Sequence, residues 1–138
     1  MLHDKRILLV DDDPFDRELI SESLKDAGIV NKIDFANDGV EAIEYLFERG
    51  LNKPILVLLD IKMPRLGGME VLKRIKDDND LKIIPVVMLT SSKEDVDVYK
   101  SYEYQANGFV CKPVNFSDFQ DVVKRIGLYW CLSNETAF

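Results

Sequence analysis

The sequence holds one histidine, His3, and two cysteines, Cys111 and Cys131, in 138 residues. A single histidine excludes a His-rich metal centre and a Ser/His/Asp triad built within the chain. Two cysteines make no disulfide framework, and Cys111, inside the apolar run "GFVC", reads as a small core residue. Seven glycines and five prolines are too few for a low-complexity chain, and there are no repeats or linkers. No apolar run approaches the roughly 20 residues of a membrane-spanning helix, and the start "MLHDKR" lacks the apolar stretch of a signal peptide. A cytoplasmic protein without membrane attachment is the expectation. Cations are in deficit: 18 basic residues against 25 acidic ones give a net charge of −7. That balance works against direct binding to nucleic acid, so any anionic ligand must be held by local groups.

What is present suits one compact domain with a real core, since 46% of residues are hydrophobic. Short apolar runs alternate with stretches of helical period. The runs are "RILLV" (6–10), "KIDFA" (32–36), "ILVLL" (55–59), "IIPVVML" (83–89) and "GFVC" (108–111). Those at 6, 55 and 83 are apolar on successive residues, as strands covered on both faces must be. The first helix is predicted behind Asp13 as N-cap and Pro14, with Phe15, Leu19, Ile20, Leu24 and Ala27 as its apolar stripe and Gly28 as its end. The second follows "ANDG", where Asp38 and Glu41 have capping-box spacing, with Ile43, Leu46, Phe47 and Leu51 on one side. A third spans about Gly68 to Asp77 with Met69, Leu72 and Ile75 aligned, a fourth about Ser92 to Tyr104, and a fifth begins at Asn115 and ends near Trp130. Strict alternation predicts a single doubly wound α/β domain with helices on both faces of a parallel sheet.

In such sheets ligands bind beyond the C-terminal ends of the strands, where the winding direction changes. The polar residues just after the runs are Asp11, Asp12 and Asp13, then Asp60, then Thr90, Ser91 and Ser92, then Lys112 and Pro113. If the first and third runs are neighbouring strands, several carboxylates, a hydroxyl and an ammonium share one rim. Gathered carboxylates raise one another's pKa values unless a hard cation takes their oxygens as ligands. Mg²⁺ fits best, because it takes few protein ligands and leaves room for phosphate oxygens. A carboxylate beside such a cation can attack a phosphoryl group, with Lys112 and the Thr90 hydroxyl available to neutralise further oxygens.

These residues carry a family resemblance. "ILLVDDDP", "ANDGVEAI", "LVLLDIKMPRLGG", "IPVVMLTSS" and "GFVCKP", in that order and at that spacing, resemble the response-regulator receiver domain, from about Lys5 to Trp130. The resemblance implies a flavodoxin-like (βα)5 fold with strand order 2-1-3-4-5. It also implies Asp60 as phosphoacceptor, Mg²⁺ held by Asp12, Asp60 and the backbone carbonyl of Lys62 with Asp11 acting through water, Lys112 as phosphate partner, and Thr90 and Phe109 as switch residues. Asp13 needs no such role, since an N-cap accounts for it. A sensor histidine kinase would be the donor, and a downstream protein or a phosphotransfer partner the recipient of the signal. The chain would be a phosphoacceptor and not an enzyme. Twenty-five residues follow Pro113, room for one helix and a tail, so no output domain is expected.

"KSYEYQANGFVCKP" and the aromatic "LYW" more narrowly resemble small stand-alone regulators that work with phytochrome-type histidine kinases. That likeness implies dimers through the face of the fourth helix, fifth strand and fifth helix, with Val98, Tyr102 and Tyr104 as contributors. Two departures from the family pattern stand out. Gly67 replaces a frequent acid, which implies a looser loop after Asp60, and Gln105 replaces a small residue, often glycine. Two other classes share parts of the pattern. A haloacid-dehalogenase-type phosphatase would use Asp11 and Asp13 but leave Asp60 idle and wants a smaller residue than Phe15. A flavodoxin-type FMN carrier needs phosphate-binding donors where "DDDP" would repel the phosphate.

Overall fold

The computed structural model describes residues 5–48, 52–90 and 104–112, together with 117, 118 and 121. Among them five strands, β1 (Ile7–Val10), β2 (Ile33–Ala36), β3 (Leu56–Asp60), β4 (Val86–Thr90) and β5 (Gly108–Cys111), form one sheet in the order β2-β1-β3-β4-β5. Every pairing is parallel. Three helices connect the strands: α1 (Pro14–Asp26), α2 (Gly39–Glu48) and α3 (Gly68–Asp77). Of the predicted fifth helix only 117, 118 and 121 are described, and they are helical; Tyr104, at the end of the predicted fourth, lies in a turn, and the rest of both helices, with Val98, Tyr102 and Trp130, lies outside the described residues, as do His3 and Cys131.

Strand periodicity of two splits the core into two layers. Ile7, Leu9, Leu56, Leu58, Val87 and Leu89 point to one side and pack with Ile20 and Leu24 of α1. Leu8, Val10, Val57, Leu59, Val86 and Met88 point to the other and meet Ala42 and Leu46 of α2 and Val71, Leu72 and Ile75 of α3. All four β1 residues are fully buried, which is why that run reads as continuously apolar. Burial of each such side chain stabilises the fold by about 1.5–3 kcal/mol.

The caps follow the predicted chemistry. Asp13 accepts from the Phe15 backbone N–H at 2.9 Å and caps α1. Asp38 accepts from the Glu41 N–H at 2.9 Å, while the Glu41 carboxylate reaches back one residue further than expected, to the Asn37 N–H at 3.1 Å.

Three apolar assignments differ from the sequence reading. Phe15 and Leu19 are exposed on α1, because at about 100° per residue they lie roughly 100–180° around the helix from Ile20 and Leu24, the two apolar residues that α1 buries in the core. On α2 Phe47 is exposed and Ala42, at the other edge of the stripe, is buried. The run predicted as a strand from 83 begins pairing only at Val86. Asp78 holds the Asp80 and Leu81 N–H groups in a turn, Ile84 donates back to the Leu81 carbonyl, and Pro85 has no N–H to add to a ladder, so Ile83 is left 80% exposed. Cys111 is a free, half-buried thiol at the end of β5.

Gln105, one of the departures noted above, has φ of 67°, the left-handed region in which a side chain is strained. Relief of that strain outweighs the extra freedom glycine gives the unfolded chain, so Gln105→Gly is expected to stabilise the protein by about 0.5–1 kcal/mol. Urea-unfolding midpoints measure this, and an unchanged or lower midpoint would contradict it.

Candidate functional site

Parallel pairing brings the C-terminal ends of β1 and β3 together, with Val10 opposite Leu59, so Asp11 and Asp60 emerge side by side. Asp11, Asp12 and Asp60 each offer a carboxylate oxygen, and these oxygens lie within 4.8 Å of one another. Asp11 is fully buried and Asp60 nearly so, whereas Asp12 faces solvent. One oxygen of Asp11 accepts from the Asp13 N–H at 3.0 Å, which fixes the carboxylate in the turn ahead of α1.

Lys112 comes from just past the end of β5 and enters this cluster from the other side. Its ammonium lies 2.6 Å from Asp11, 3.2 Å from Asp16 and 3.4 Å from Asp60. Only 10% of its side chain is exposed, so it does not snorkel to the surface as a solvated lysine would. Burial works to pull its pKa down, but the hydrogen bond to Asp11 and the charges of Asp60 and Asp11 outweigh it, so the ammonium is held protonated. Asp60 moves the opposite way. Burial pushes its carboxyl up, Lys112 draws it back, and the charges of Asp11 and Asp12 push it up again, leaving it at about 6.

The donor set fits a hard divalent cation. One ammonium cannot balance the three carboxylates it contacts, Asp12 beside them has no cationic partner among the described contacts, and oxygen-only ligands on an open rim match Mg²⁺ or Mn²⁺ better than a soft metal.

The other predicted site residues take these places. Thr90 closes β4 opposite Cys111, one residue beyond the Asp60–Leu89 pair; its side chain lies outside the described ones. Phe109 pairs with Met88 across β5 and β4 and packs, half-buried, against the α2/α3 layer of the core. Lys62 is exposed in the loop after β3. Backbone and side-chain contacts hold that loop. The Gly68 N–H donates to the Ile61 carbonyl at 2.9 Å, the Leu66 N–H to the Pro64 carbonyl at 2.8 Å, and Arg65 forms a two-pronged bond with Asp38.

Asp16 and the Arg65–Asp38 pair are not apparent from the sequence. An acid in the first turn of a helix reads as ordinary support for the helix dipole, and nothing in local spacing signals that Asp16 faces a lysine 96 residues away. Arg65 sits in a turn "PRLGG" where a positive charge looks like plain solvation.

Five parallel strands in this order, helices between them, and a carboxylate rim where the winding reverses define the CheY-like class of doubly wound α/β domains. The chain belongs to the response regulator receiver domain family, which it matches over residues 7–124. It is therefore the receiver domain of a response regulator in two-component signalling. Response regulator Rcp1 of Synechocystis sp. is 39% identical over 130 residues, which cover 91% of this chain and 88% of Rcp1. The bacteriophytochrome response regulator AtBRR is 43% identical, with a TM-score of 0.82 over 94% of this chain and 97% of that one. The Mn²⁺-bound form of Rcp1 gives 39% identity and a TM-score of 0.74 over 92% and 94% of the two chains. Phosphorylated RcpA, a cyanobacterial phytochrome response regulator, gives 38% and 0.75 over 91% and 93%. Among the described residues no helix is long and apolar enough to cross a membrane.

Proposed function

We propose that this chain is a cytoplasmic, stand-alone response regulator that takes a phosphoryl group from a sensor histidine kinase onto Asp60. The observation that carries the reading is the convergence of Asp11, Asp12 and Asp60 within 4.8 Å, with the Lys112 ammonium between Asp11 and Asp60. Asp12, Asp60 and the Lys62 carbonyl would hold Mg²⁺, with Asp11 supporting it through water, and the cation would supply charge neutralisation for phosphoryl oxygens. The Mn²⁺ in the Rcp1 structure supports a divalent site of this kind.

In the transfer, an Asp60 oxygen attacks the phosphorus of a phosphohistidine on the kinase. The new O–P bond forms as the P–N bond breaks, and the imidazole leaves with the electron pair. Lys112, already fixed by Asp11, pairs with one equatorial oxygen, and the Thr90 hydroxyl donates to another. The phosphorylated side chain carries about two negative charges in place of one. Thr90 moves toward it, Phe109 turns inward, and the face formed by β5 and the predicted fourth and fifth helices shifts between two packings. The chain is a phosphoacceptor, assisting its own phosphorylation and dephosphorylation, and not an enzyme acting on other substrates.

The names of AtBRR and RcpA support a phytochrome-type kinase as partner. The regulator passes the signal to a downstream protein or a phosphotransfer partner, and the switching face serves as a homodimer interface. Neither nucleic acid nor membrane is bound directly.

The test is incubation with Mg²⁺ and a small acyl phosphate, followed by intact mass measurement. One added phosphoryl group per chain is expected, not formed when the metal is chelated beforehand and absent in Asp60→Asn. An adduct that forms equally well on Asp60→Asn would overturn the assignment.

A further inference from the structure

The loop that carries Lys62 is anchored to α2 by an ion pair whose geometry is more demanding than a surface contact needs. Arg65 Nε lies 2.7 Å from one Asp38 oxygen and its terminal nitrogen 3.1 Å from the other, a two-pronged arrangement that fixes orientation as well as distance. Arg65 adopts φ of 67° to make it. Asp38 is 8% exposed and also caps α2 through the Glu41 N–H, so the anchor on that side is rigid. Next to it the loop presses directly on the helix, since a Cβ on Gly39 would lie 2.2 Å from the Leu66 carbonyl oxygen. At its base the Gly68 N–H closes onto the Ile61 carbonyl. Residues 62–67 are thus pinned beneath by Gly68 and at their far side by Asp38, with Lys62 between the two anchors.

We propose that Arg65 and Asp38 are positioning residues for the cation site, holding the 62–67 loop so that the Lys62 carbonyl faces the Asp12 and Asp60 carboxylates. This rests on the reading above that the Lys62 carbonyl is a ligand. The side chain of Arg65 is 56% exposed, and pairs that open to solvent add little to stability. The pair therefore acts on the geometry of the loop and scarcely on the melting point. A left-handed arginine is a cost that glycine would avoid, and the fork gives the chain a reason to bear it.

The experiment is titration of the whole protein with Mn²⁺, following free ion by electron paramagnetic resonance, with thermal melting of the metal-free protein in parallel. Arg65→Gly removes the fork while relieving the backbone, and Asp38→Asn keeps a competent helix cap while removing the charge. Each is expected to weaken Mn²⁺ binding roughly tenfold, in the range seen when groups that orient a ligand are lost. The double variant should bind no more weakly than either single one, because both remove the same tie. Arg65→Lys, with one prong restored, should fall between. Mn²⁺ affinity within twofold of the parent in both single variants overturns the proposal, and so does a fall in melting temperature with no change in affinity. Asp60→Asn separates the two levels. If the parent binds Mn²⁺ no better than Asp60→Asn, the cation-site reading fails together with this one. If Asp60→Asn abolishes binding and the Arg65 and Asp38 variants do not weaken it, this proposal alone fails.

Discussion

At neutral pH and without added divalent metal, Asp60→Asn is expected to be more stable than the parent protein, although it removes the residue on which the proposed chemistry depends. The Asp60 carboxyl is pushed up to about 6, chiefly by burial, with Asp11 and Asp12 adding to the effect and Lys112 opposing it. In the unfolded chain the same group titrates near 3.8. The folded state therefore binds the proton more tightly, and the favourable contribution of Asp60 is fully present below about pH 4. It is lost as pH rises through about 6, above which the protein holds a buried carboxylate at a penalty on the order of 2–3 kcal/mol. Asparagine carries no such charge, and Lys112 keeps Asp11 and Asp16 as partners. The melting temperature at pH 7 should rise by roughly 5–10 °C, and the gap should close as pH is lowered toward 4. Millimolar Mg²⁺ should raise the parent and not the variant, since only a cation that binds the folded state stabilises it. Equal melting temperatures at pH 7 in metal-free buffer would contradict this account.

The second large effect is steric. A Cβ placed on Gly68 would lie 2.0 Å from the Asp60 carbonyl oxygen and 2.9 Å from the Asp60 carbonyl carbon and the Ile61 Cα. All three are backbone atoms, so no rotamer change can relieve the clash. Gly68→Ala is expected to cost about 3 kcal/mol or more, as overpacking against an immovable wall does. Since the strand would have to yield at Asp60 itself, the surviving folded protein should also lose its response to Mg²⁺. Gly67→Ala is the control. Its Cβ would meet only the Ile61 carbonyl, at 3.6 Å, an ordinary contact, and its φ of −73° suits any residue. A change within about 1 kcal/mol is expected there, mostly from the poorer helix cap. Urea titration of the two variants side by side decides the point, and similar midpoints for both would sink it.

Much of the fold is legible in the sequence because burial on both faces leaves few alternatives. "ILLV" and "LVLL" can be nothing but interior strands, and the acids that end them mark the rim. The helical stripes are less faithful. The first groups Phe15 and Leu19 with Ile20 and Leu24, but at about 100° per residue Phe15 lies roughly 140° around the helix from Ile20, on the side that faces solvent. The run 83–89 fails as a single strand for a different reason: apolar content alone does not distinguish a ladder from a turn that Asp78 ties together ahead of Pro85. At the site, Asp11, Asp12, Asp60 and Lys112 are legible by their place at strand ends, a rule of topology. Asp16 and Arg65 are not, since each acts through a partner distant in sequence, Lys112 and Asp38 respectively, and charge at an exposed turn gives no sign of its partner.

The reach of Lys112 also bears on the order in which the molecule can be completed. Its ammonium answers Asp11 across 101 positions of chain. During synthesis, a polypeptide that has emerged as far as Thr90 already carries Asp11, Asp12 and Asp60, but not the cation that offsets them, and β4 still lacks its partner β5. Arrival of β5 supplies both at once, a ladder for the open edge and a counter-charge for the rim. Pairing of that edge of the sheet and the counter-charge of the carboxylate rim thus depend on the same short segment of chain.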